Sequence, residues 1–139
     1  MNGFSQALLL LAVAGTLAGV AAVVRPPEGA VVGPGQIGAG DALRSATPVL
    51  WVDARTAEAY AGAHWPDAVL LNEDNWDELI EPVLGRWSPG MKVVVYCSTS
   101  GCRRSEEVAK RLREEVGLGD VWSLAGGWDA LKREKKALR

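Results

Sequence analysis

The segment Cys97-Ser98-Thr99-Ser100-Gly101-Cys102-Arg103-Arg104-Ser105 holds the only two cysteines of the 139-residue chain, with four small residues between them and two adjacent arginines after them. The reactive form of cysteine is the thiolate, which positive potential favours. Two sources of that potential are expected here. Arg103 and Arg104 supply full charges, and a helix beginning near Ser105 offers free amides and the positive end of its dipole. Ser98, Thr99, Ser100 and Gly101 are small enough for the loop to turn its amide hydrogens inward as an anion nest. The segment therefore suits a nucleophilic Cys97 that attacks or carries an anionic group, with Ser98 to Cys102 and both arginines around the anion. The competing reading is a buried structural cysteine, but core packing does not call for small polar residues and paired arginines. Cys102 opens a redox route: if the loop rearranges, the two sulfurs reach disulfide distance, and Cys102 can resolve a persulfide or sulfenate on Cys97. Its other reading is simple packing beneath the loop.

Such a loop must be carried by regular elements. Lys92 to Tyr96, directly before Cys97, reads as a strand, with four of its five residues β-branched or aromatic. Ser105 to Val116 reads as a helix, with Val108, Leu112 and Val116 four apart and Gly117 and Gly119 ending it. Val49 to Val52, Ala68 to Leu71 and Asp120 to Leu124 are further short apolar runs. Between them fall a short helix, Thr56 to Ala61, capped by Thr56, and a second, capped by Asn72, with Trp76, Leu79, Ile80 and Val83 on one face. A last helix is expected from Trp128, after the tight Gly126-Gly127 turn. Continuous apolar strands alternating with helices predict an α/β fold, a parallel sheet covered on both faces. Ligand sites in such sheets lie beyond the carboxyl ends of the strands, which is where Cys97 stands.

Composition bounds the rest. Lys and Arg total 15 against 17 Asp and Glu, so no nucleic-acid footprint is expected. The balance is uneven: residues 103–139 carry 10 basic and 7 acidic side chains, and those before them 5 and 10. Two cysteines and one histidine exclude a disulfide scaffold and a zinc finger, and no metal or cofactor is expected. Residues 7–24 form an uncharged Ala/Leu/Val run interrupted only by Gly15, Thr16 and Gly19, stopped by Arg25-Pro26-Pro27-Glu28. About 18 residues at roughly 1.5 Å each span most of a hydrocarbon core, so residues 1–25 read as a single-pass membrane anchor, with a signal peptide as the alternative. Flanking charge does not choose the side of the membrane. Residues 26–40 read as a Gly/Pro-rich linker and 41–139 as the domain.

Of the remaining conspicuous residues, Trp51, Trp76 and Trp122 are expected in the core, and Trp65 and Trp87 in loops that face partners. His64 is expected to be structural. Asp53 and Arg55 are expected to pair locally, and Arg55 is a further candidate for the pocket wall.

Four motifs in order resemble the rhodanese family. Val52-Asp53-Ala54-Arg55 is similar to its early strand end, and Ala63-His64-Trp65-Pro66-Asp67-Ala68 to its turn before the next strand. Val93 to Cys97 is similar to the strand and catalytic cysteine, and Leu124-Ala125-Gly126-Gly127-Trp128 to its closing motif. The resemblance implies a five-stranded, mostly parallel sheet with helices on both faces. It also implies a Cys97 that takes a sulfane sulfur from a small anionic donor as a persulfide and passes it to a thiol acceptor. The loop is longer than the family's usual form. Its Cys97-x5-Arg103 spacing also resembles phosphatases and arsenate reductases built on the same fold, although Tyr96 stands where those enzymes usually have histidine. A redox-sensing or non-catalytic module using Cys97 and Cys102 is the third reading.

Overall fold

A computed structural model describes residues 32–99 and 102–139. The anchor expected at residues 7–24 lies outside the described residues, as do Ser100 and Gly101 of the loop. Among the described residues no helix is long and apolar enough to cross a membrane.

The elements follow the order β1 (Gln36–Ile37), α1 (Ala39–Leu43), β2 (Val49–Asp53), α2 (Ala57–Gly62), β3 (Val69–Leu70), α3 (Trp76–Arg86), β4 (Lys92–Tyr96), α4 (Arg104–Glu114), β5 (Val121–Leu124) and α5 (Gly127–Ala137). The five strands form one sheet in the order β1-β5-β4-β2-β3, and every pairing is parallel. β4 is central, held by β2 on one side and β5 on the other.

Both faces of the sheet are covered, and β4 shows why its sequence is continuously apolar. Side chains alternate across a strand. Val93 and Val95 join Leu50, Val52, Val83, Val108 and Leu112 in the core beneath α3 and α4. Val94 and Tyr96 join Trp51, Leu124 and Leu131 in the core beneath α1 and α5. A strand buried on both sides has no polar face to show.

Several boundaries differ from the sequence expectation. The sheet starts at Gln36, inside the stretch read as linker. β1 is two residues long and carries no periodic signal; it exists because it adds to the edge of β5, where Ser123 N donates to Gly35 O at 3.1 Å and Ala125 N to Ile37 O at 2.9 Å. Asn72 does not cap α3, which begins four residues later. Its buried side chain accepts from Asn75 N and donates to the carbonyl of Arg55, tying the approach to α3 to the exit of β2. Thr56 does cap α2, accepting from Ala59 N at 3.2 Å. α4 closes before Val116, with Gly117 in the left-handed region (φ 79°) and Leu118 N returning to Leu112 O at 2.9 Å.

The tryptophans also redistribute. Trp51 and Trp76 are buried, whereas Trp122 is half-buried with its indole N–H on Asp120 at 2.6 Å. That bond, helped by Lys92, holds the Asp120 carboxyl below its ordinary pKa. Trp65 and Trp87 do not face outward as free partner contacts: each packs against one of the two cores, Trp65 with its ring 5.5 Å from that of Trp51.

Candidate active site at the end of the central strand

Cys97 leaves β4 at the carboxyl edge of the sheet and is 2% exposed. Its position is set from three directions. Behind it, Tyr96 O accepts from Ala54 N at 2.8 Å, locking the strand end to β2. Across the sheet edge, the first amides of α5 reach the cysteine backbone: Trp128 N donates to Cys97 O at 2.7 Å and Asp129 N to Ser98 O at 3.3 Å. Ahead, Cys97 is joined to Cys102 by a disulfide, with Cα atoms 6.1 Å apart.

Gly127 is what lets α5 come so close. It sits at φ 58°, and a Cβ there would fall 2.5 Å from the carbonyl oxygen of Cys97 and 3.1 Å from Ser98 C. The sequence suggests only that the Gly126-Gly127 turn has unusual backbone angles; the closer demand is space. Gly127→Ala is expected to destabilise the fold by about 2–5 kcal/mol, combining left-handed strain with a clash against backbone. Gly117→Ala, where φ is 79° and nothing lies within 4 Å, isolates the strain alone at about 1–2 kcal/mol. Urea midpoints of the two variants check this; equal losses would remove the clash from the account.

Beneath the loop lies a buried polar cluster. The Arg55 guanidinium is bidentate on Asp53, with Nη2 on Oδ2 at 2.7 Å and Nε on Oδ1 at 3.0 Å, and also donates to Ala63 O at 2.6 Å. Tyr96 OH donates to the same carboxylate at 2.8 Å and accepts from Trp65 N at 3.1 Å. The parallel register makes this possible, since it pairs Asp53 with Tyr96 and places both on one face of the sheet. The Asp53 hydrogen bonds outweigh burial and raise the Arg55 pKa. Burial, with the nearby Asp53 charge, pushes the Tyr96 phenol well above its ordinary range, so it stays a proton donor. Arg55 also lies over the ring of Trp128, 4.7 Å from its centroid. At 7% exposure, with Nε and Nη2 engaged, Arg55 is bound into this cluster, and no hydrogen bond of its Nη1 appears among the described residues. It supports the strand end from below, as the local pairing with Asp53 suggests.

The other candidate residues sit as follows. Ser98, Thr99, Arg103 and Arg104 are exposed, and Cys102 is partly buried. Arg103 immediately precedes α4 and Arg104 is its first residue; no ion pair of either appears among the described residues. Two arginines at the positive end of a helix repel its dipole, a cost that a bound anion relieves. Cys102 N donates to Thr99 O at 3.2 Å, so in this disulfide form that amide is not aimed outward as a nest donor. The physical reason is local, since the amide closes an i→i+3 turn on Thr99. His64 is exposed, its ring stacked on Tyr60 and its Nδ1 on Tyr60 O at 2.8 Å. Among the described residues no group of three His, Cys, Asp or Glu is placed to hold a metal ion.

The chain matches known proteins at the level of fold and family. The rhodanese-like domain matches residues 39–134. Among solved structures, a Bacillus halodurans protein is 23% identical, with 72% of each chain covered and a TM-score of 0.58. A rhodanese-like domain protein from Staphylococcus aureus is 27% identical over 69% of this chain and 89% of its own, with a TM-score of 0.52. A rhodanese-related protein from Thermoplasma volcanium is 19% identical over 71% and 91%, with a TM-score of 0.55. No curated protein matches the chain. With the family matched over most of its length and the five-stranded parallel sheet in place, this chain belongs to the rhodanese-like domain family.

Proposed function

We propose that the domain is a sulfurtransferase in which Cys97 carries sulfane sulfur. The observation that supports this most directly is the position and bonding of one atom. The Cys97 sulfur stands at the carboxyl end of the central strand and is already engaged in a sulfur–sulfur bond. In the reduced enzyme the Cys97 thiolate attacks the outer sulfur of a donor such as thiosulfate. The S–S bond of the donor breaks, sulfite leaves with the electron pair, and the persulfide forms. Arg103 and Arg104 attract the dianionic donor, and the first turn of α4 favours the negative charge that stays on the outer sulfur. A thiol then removes that sulfur from Cys97. No cofactor enters the scheme. The apolar run at residues 7–24 supports tethering of this activity to a membrane.

The test offers the reduced full chain thiosulfate in one arm and a chromogenic aryl phosphate in the other. About one equivalent of sulfite per chain in the first reaction, with no phosphate in the second, is the expected result. Phosphate release without sulfite would move the assignment to the Cys-x5-Arg phosphatases and arsenate reductases. Silence in both arms would leave a non-catalytic module.

A further inference from the structure

We propose that Cys102 is a resolving cysteine, so that this domain discharges its persulfide internally and releases hydrosulfide. The inference rests on the sulfurtransferase reading and adds the fate of the sulfur. Cys102 lies two residues before α4 and next to Arg103 and Arg104, where amides, dipole and charge favour its thiolate. Its Cα is 6.1 Å from that of Cys97, inside the range a disulfide requires, and the bond is formed. Cys97 is the fixed partner, its carbonyl held by Trp128 N and packed closely against the Gly127 backbone. A thiolate tethered within the same loop competes against external thiols at an effective concentration of about millimolar or more.

The chemistry balances. The Cys102 thiolate attacks the inner, Cys97 sulfur of the persulfide. The bond to the outer sulfur breaks, and that sulfur leaves as hydrosulfide, taking the electron pair and a proton. The sulfane sulfur is reduced by two electrons, and the two cysteine thiols are oxidised to the Cys97–Cys102 disulfide. The disulfide seen here is then the product state of the cycle, and a dithiol reductant must reopen it before another donor is loaded. The acceptor class is thereby named: two thiols per sulfur, with sulfide as product, in place of a persulfidated acceptor.

The test uses the purified full chain, reduced and then freed of reductant without air. Thiosulfate is added, hydrosulfide is trapped with a bimane reagent, sulfite is measured, and intact mass is followed. Wild type is expected to release about one equivalent each of sulfite and hydrosulfide and to end about 2 Da below the reduced mass. Cys102→Ser is expected to stop at a gain of about 32 Da, with sulfite released and hydrosulfide lowered at least about 20-fold. A wild type that also stops at the heavier mass, releasing sulfite without hydrosulfide, overturns the resolving role while sparing the sulfurtransferase. Absence of sulfite from wild type sinks the underlying reading instead. The wild-type arm decides alone should the variant fail to fold, and Cys102→Ala provides a second version of it.

Discussion

Cys97→Ser is expected to lower sulfite release from thiosulfate by at least about 1000-fold, roughly 4 kcal/mol of barrier. The substitution exchanges sulfur for oxygen in nearly the same volume, so the cost is chemical. A serine hydroxyl keeps its proton near neutrality and is a poor nucleophile toward sulfane sulfur, whatever potential α4 supplies. The fold should be untouched, because the contacts that fasten this position are backbone ones: Trp128 N on its carbonyl and Asp129 N on that of Ser98. The stability comparison belongs with the reduced wild type, since a disulfide across so short a loop adds about 2 kcal/mol by chain entropy. Matched in that way, the urea midpoints should agree to within about 1 kcal/mol. Retained sulfite release would transfer the nucleophile's role to Cys102, a point the Cys102→Ser protein settles in the same assay.

Asp53→Ala is expected to cost about 3–5 kcal/mol, a large share of the about 5–15 kcal/mol that holds a domain together. Asp53 is fully buried and receives Arg55, Tyr96 OH and the Arg55 amide. Removing it strands a guanidinium at 7% exposure with the carbonyl of Ala63 as its remaining polar partner. It also takes the acceptor from the buried Tyr96 hydroxyl and leaves that donor without its carboxylate. The loss comes from an uncompensated charge, so removing the charge as well should restore stability. Asp53→Leu combined with Arg55→Met is expected to recover at least about half of it, measured by urea denaturation. A double variant no more stable than Asp53→Ala would show that packing, and not the orphaned arginine, sets the cost. The cluster underlies Cys97, so Asp53→Ala should also slow sulfur loading in whatever fraction folds.

The parts of the fold readable from residues alone are those whose cause is local. The unbroken Val93 to Tyr96 run reports a strand covered on both sides. The four-residue spacing of Val108 and Leu112 reports a helix with one buried face, and Thr56 caps α2 with its own hydroxyl. Gln36–Ile37 escaped such reading because two residues have no period; the strand is created by the neighbour it joins. Asn72 has the look of a cap, yet its amide is spent on the Arg55 carbonyl seventeen residues back in the chain. Trp65 and Trp87 sit in connecting segments, and nothing in their immediate sequence says that a core lies under them.

The site divides along the same line. The chemistry proposed for the loop (two sulfurs, small residues and paired arginines after a strand) is legible in adjacent positions, because a proposal of that kind depends on residue type and on the start of the next helix. The support beneath it is not. Tyr96 meets Asp53 across a separation of 43 residues, and Gly127 meets the Cys97 carbonyl, only because β4 lies between β2 and β5. Strand order follows from how the two cores close over the sheet, a property of all the elements together, and no short stretch of chain encodes it. The pairing of Cys97 with Cys102 stands between the two cases: spacing permits the bond, and the fold holds Cys97 by α5 while Cys102 lies at the start of α4.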